Sequence, residues 1–206
     1  MALLLKKWLF RWSPLVTSFF MLMVTDSLSA QKKTFKIIPP DHIKLQYAGG
    51  TGFVSFGAGY TSKNQKLEGD VFYGYLPKSV GGVPIHSISI KFTWIPIHSI
   101  EIKKYELEPL MMGLLLNYSF GKQYFSFDPP NYPYRYYSFP TAIHSAIFFG
   151  SRAGIRLPTR SFIHRLSLYY EILGFDREII SLLNNPKSLH IPDILTLSLG
   201  TRISFE

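Results

Sequence analysis

The pentapeptide PIHSI occurs twice in this chain, at 84–88 and 96–100, and a third His-Ser pair stands at His144 and Ser145. Histidine beside serine could serve as general base and nucleophile, and paired histidines could ligate a metal. On an extended strand, however, adjacent side chains point to opposite faces, so neither His86–Ser87 nor His144–Ser145 forms a dyad through its own side chains. The two copies of PIHSI are separated by about ten strand residues, roughly 30 Å, whereas a zinc ion holds its nitrogen ligands within ~2.1 Å. His86 and His98 therefore read as interfacial residues, and no metal or cofactor is expected.

His144 differs, because strand alternation turns it inward on the same face as Arg152. A catalytic base there would need a partner from another strand, and Ser167 and Glu171 are the inward-facing candidates. The competing role for all three is a structural hydrogen-bond network. Hydrolase or acyltransferase chemistry acting on membrane lipid stays open as the alternative to that structural role.

The elements that position these residues follow from the periodicity. Apolar residues recur at alternate positions, the period of a strand. In ILTLSLGTRISFE, Leu195, Leu197, Leu199, Ile203 and Phe205 share one face with Thr201, while Thr196, Ser198, Gly200, Arg202 and Ser204 share the other. FIHRLSLYYEI repeats the pattern, with Arg165, Ser167, Tyr169 and Glu171 on its polar face. Eight such segments are predicted, at 43–49, 52–60, 66–76, 85–94, 103–118, 141–155, 162–172 and 194–205. Pro109 and the run LMMGLLL blur the phase of the fifth.

Collected together, the polar faces carry Lys44, Lys91, Arg152, Arg165 and Arg202 against Glu68, Asp70, Glu171 and, with the fifth strand included, Glu106 and Glu108. Equal numbers of cations and carboxylates suit a mutually neutralising interior. The opposite faces are Ile, Leu, Val, Phe, Tyr and Trp. Strands of about ten residues with this polarity predict an all-β fold, an antiparallel up-and-down transmembrane β-barrel of about eight strands. Closure removes the sheet edges. A polar-inward register excludes a soluble barrel that carries lipid inside, and an interior filled by side chains excludes an open pore.

The ends agree with export. Residues 1–30 have a basic start (Lys6, Lys7, Arg11), an apolar stretch at 14–24 and small residues at Ser27, Ser29 and Ala30, the pattern of a cleaved signal peptide. The apolar stretch is shorter than the ~20 residues of a spanning helix. Residues 31–42 then form a periplasmic lead-in and 43–206 the barrel. The net charge is +9, and removing the three basic residues and Asp26 of the leader leaves +7. A basic exported protein suits anionic lipid or sugar phosphates, and nucleic acid is not an expected partner. The chain has no cysteine, which excludes disulfides, thiol nucleophiles and Cys-ligated zinc.

Short connections (TSKNQ, IPIHSIEI, RLPTRS) alternate with long ones (SFGKQYFSFDPPNYPYRYYSFP, LGFDREIISLLNNPKSLHIPD). This is the parity of periplasmic turns and extracellular loops, with a tight first outer hairpin near Gly49, Gly50 and Thr51. In the first long loop, Tyr134, Arg135, Tyr136 and Tyr137 could grip a sugar or lipid headgroup, or belong to an aromatic belt. In the second, Ile179, Ile180, Leu182 and Leu183 predict a short amphipathic helix on the rim.

The stretches IKLQYAGGTGFVSFGAGY, LEPLMMGLLLN, NYPYRYYSFPTAIHSAIFFG and SLYYEI resemble the small eight-stranded outer-membrane barrels, particularly exported barrels of Bacteroidetes-like bacteria. In strand order and spacing the chain is also similar to the lipid A 3-O-deacylase barrel. The stretch that matches that family's catalytic His-x-Ser strand, SLYYEIL, holds no histidine. At the C-terminus, Ser198, Gly200, Ile203 and Phe205 approximate the terminal-strand pattern recognised by the barrel-assembly machinery, and the whole reading expects a monomeric envelope barrel in contact with outer-membrane lipids and lipopolysaccharide.

Overall fold

The computed structural model describes residues 38–121, 123–125, 141–158, 162–186 and 188–205. Nine strands form: β1 (His42–Ala48), β2 (Val54–Thr61), β3 (Leu67–Leu76), β4 (Ile85–Trp94), β5 (Ile100–Ile102), β6 (Tyr105–Phe120), β7 (Ile143–Arg156), β8 (Arg165–Phe175) and β9 (Leu195–Ser204). A helical turn α1 (Lys78–Gly81) follows β3, and helix α2 (Asp176–Asn184) follows β8.

Eight of the strands close a ring. Each pairs antiparallel with its neighbour from β1 through β4, β4 pairs with β6, and β9 returns to β1. The fold is an eight-stranded antiparallel β-barrel with no open edge among these eight. The three-residue β5 hangs off β6 as a flap whose residues are all exposed. It falls where the sequence suggests a plain turn; Lys103 takes φ 57°, allowing Ile102 to fold back onto Tyr105.

The blurred phase of the fifth predicted strand has a local cause. In β6, Glu106 and Glu108 face inward, and beyond them Met111, Leu115 and Asn117 face inward. The register on β7 slips between Glu108 and Met111, from Arg152 to Gly150, which inserts one extra residue at a bulge containing Pro109. A bulge tolerates a residue without an amide donor and flips the alternation of everything after it.

The first hairpin does more than reverse the chain. Thr51 folds into the barrel mouth and is buried, and its carbonyl accepts a hydrogen bond from Ser87 Oγ. Gly74 makes room for this, since a Cβ there would lie 1.8 Å from Thr51 O. Gly50, at φ 73°, would place a Cβ 2.2 Å from the Phe175 ring. Below this plug lies an apolar layer of Leu115, Ala146, Phe148 and Leu173, and beneath it the interior becomes ionic.

Candidate functional site

The charges that strand alternation turns inward meet in two clusters. In the upper one, Lys91 Nζ donates to both carboxylate oxygens of Glu171 at 2.8 and 2.7 Å and to Gln46 Oε1 at 3.0 Å. Its ammonium also lies 4.8, 5.1 and 5.5 Å from the ring centroids of Phe72, Phe148 and Tyr169. Desolvation of a lysine is tolerable only with such a carboxylate and aromatic faces around it.

The lower cluster is centred on Glu68. Arg152 grips it bidentately at 3.0 and 2.7 Å, Lys44 reaches Oε2 at 2.9 Å, and Arg202 reaches Oε1 at 3.2 Å. Lys44 also donates to Asp70 at 2.7 Å, and Asp70 holds His42 Nε2 at 2.6 Å. Arg202 Nη2 lies 3.2 Å from His42 Nδ1. A guanidinium only donates, so this contact assigns Nδ1 as acceptor, with the imidazole proton on Nε2 directed at Asp70. His42 is thus neutral, and the ten inward charges named from the sequence balance as five cations and five carboxylates.

Towards the end with short connections, Arg152 also contacts Glu108 at 2.5 Å, and Arg165 pairs with Glu106 and Glu108 at 3.1 and 3.4 Å. The partners of Arg165 are therefore the two glutamates of β6. At the rim, Arg156 joins Glu106 and Glu101.

His42, Glu68 and Asp70 place ligand atoms within 4.8 Å of one another, a grouping that could hold a divalent cation. Lys44 Nζ already lies between the two carboxylates. The cation these groups are arranged around is the lysine's own, and a metal would have to displace it.

His144, Ser167 and Glu171 are not brought together. Gly150 is the register partner of Glu171 and Gly154 that of Ser167, six and ten residues along β7 from His144, or roughly 20 and 33 Å. Glu171 is engaged by Lys91. His144 sits at the other end of β7 from Arg152, near the rim, with Nε2 3.1 Å from Thr141 O and Nδ1 3.8 Å from Asp176. Asp176, at the start of α2, also accepts from the amide and hydroxyl of Ser145, both at 2.9 Å. Burial pushes its carboxyl up, but these donors and the Arg177 amide outweigh it and hold the group below its ordinary range.

The outer PIHSI copy divides as alternation requires. Ser87 is buried, while His86 is exposed on the wall, hydrogen-bonded to Tyr73 OH at 2.6 Å and tilted against Tyr75. His98 is exposed in the connection between β4 and β5. The aromatic loop residues Tyr134, Arg135, Tyr136 and Tyr137 lie outside the described residues, as does the 1–30 leader. Sequence reasoning missed His42 and Asp176. His42 precedes the expected strand start by one residue, and the signal for Asp176 was an acid in the first turn of the rim helix, where the dipole favours it.

Comparisons of the chain with protein-family models, curated proteins and solved structures return no match. The assignment that stands is architectural: an all-β, closed eight-stranded barrel.

Proposed function

We propose that this chain is an integral outer-membrane β-barrel with a filled lumen, acting as a scaffold or surface binder. One observation carries the reading, the inversion of its wall. Leu45, Phe56, Val71, Phe92, Leu114, Ile147, Leu168 and Leu197, one from each barrel strand, are 52, 53, 56, 59, 58, 56, 65 and 54 % exposed, while Lys44, Glu68, Lys91 and Glu171 are at most 3 % exposed. Soluble monomers rarely expose contiguous apolar patches above a few hundred Å². A band of this kind around a whole barrel matches hydrocarbon, and rings such as Tyr73, Tyr75 and His86 suit its headgroup boundary.

The ion pairs and the apolar layer occupy the lumen, so the work is assigned to the ends and the wall. The end with long connections faces the cell surface in this reading and meets lipopolysaccharide or an envelope partner. Insertion by the barrel-assembly machinery, a monomeric state and the likeness to Bacteroidetes-type barrels belong to the same proposal. Hydrolase or acyltransferase chemistry is not proposed, because the residues it would use stand far apart.

Membrane fractionation combined with gel mobility before and after boiling tests the reading. The protein is expected in the outer-membrane fraction, with a mobility that changes on heating. Recovery in the soluble fraction with heat-independent mobility would refute it.

A further inference from the structure

We propose that the short-connection mouth of the barrel binds a small solute or headgroup through an oxyanion, a phosphate or a carboxylate. A cavity of about 530 Å³ opens there between the β2–β3 turn, Leu157 and His164 beside the ends of β7 and β8, and the end of β9. That volume lies within the ~300–1,000 Å³ of small-molecule sites.

The cations of its wall are Lys63, Arg152, Arg156, Arg165 and Arg202, against the carboxylates Asp41, Glu68 and Glu108. Glu101 and Glu106, which pair with Arg156 and Arg165, do not line the cavity. The lining acids are already occupied: Glu68 by Lys44, Arg152 and Arg202, Glu108 by Arg152 and Arg165, and Asp41 by the Thr61 amide. The wall of the cavity thus carries five cations against three carboxylates, and two of those carboxylates are already held in ion pairs.

The donors are also incompletely used. Arg152 and Arg202 are 3 and 4 % exposed, and the Nε of each is buried without a hydrogen-bond partner among the described residues. Lys63, exposed at the entrance, makes no ion pair among them. Buried guanidinium N–H groups are costly to leave unmet, and the oxygens of a phosphate or carboxylate can accept from them.

The test uses the full chain folded in an uncharged detergent, titrated calorimetrically with inorganic phosphate and with dihexanoyl phosphatidylglycerol at ionic strength matched by chloride. Saturable binding of phosphate is expected, weakened about tenfold by Lys63→Ala or Arg165→Gln through loss of a charge-assisted contact. Heat-dependent gel mobility verifies that each variant is folded, and it reads membrane-barrel character independently of ligand. Phosphatidylglycerol binding that phosphate competes away would identify the source as a lipid headgroup, and phosphate binding alone a soluble solute. Absence of saturable phosphate binding, with any phosphatidylglycerol uptake insensitive to phosphate, would overturn the proposal. So would affinity unchanged in both folded variants.

Discussion

Lys91 of β4 and Glu171 of β8, three strands apart around the ring, meet in the lumen at 2.7 Å, both almost wholly buried. Removing one member strands the other in a medium that cannot solvate it. Lys91→Met is expected to cost about 3–5 kcal/mol, and Lys91→Met combined with Glu171→Leu much less than the sum of the two single changes. Urea unfolding in detergent, followed by tryptophan fluorescence, measures the cycle; additive effects would mean the pair is uncoupled.

Glu68 neutralises parts of three cations, whereas Glu106 serves Arg165 and the half-exposed Arg156 nearer the rim. Glu68→Gln should therefore destabilise more than Glu106→Gln, by at least about 1 kcal/mol, since water screens the rim pair. The temperature at which gel mobility shifts compares the two variants, and equal temperatures would contradict the hub.

The latch of α2 on β7 responds to acid. Asp176 is held below its ordinary value near 3.8 by the Ser145 and Arg177 donors. A depressed folded value means that the carboxylate's stabilisation is complete above the unfolded value and disappears as pH falls through the lower, folded one. Hydrogen exchange of α2 amides should accelerate only below that range in the wild type, but at every pH in Asp176→Ala. Amides of β3 provide the internal reference.

The hairpin plug depends on the missing side chain of Gly74. Because the chain has no cysteine, Thr51→Cys supplies a single reporter. It should resist maleimide in the otherwise native barrel and react readily once Gly74→Ala pushes the Thr51 carbonyl aside, a change expected to cost about 1–3 kcal/mol. Equal labelling in both backgrounds would show that the plug tolerates the methyl.

Period-two alternation was enough to locate the eight barrel strands, sort Lys44, Glu68, Lys91 and Arg202 inward, and assign long and short connections to opposite ends. These are local properties: the pleat sends successive side chains to opposite faces whatever the strand's neighbours are. The identity of each charge's partner is not local. Arg165 meets Glu106 and Glu108, Arg152 meets Glu68, and His144 reaches Asp176 instead of Ser167 or Glu171, because closure and register set the height of every inward residue. The Pro109 bulge, the β5 flap and the inward fold of Thr51 likewise depend on contacts between residues far apart in sequence. The sequence by itself determined which faces are polar and which apolar; only the closed ring decided which buried charges touch, since a buried ion must find its counterion wherever the strand stagger places it.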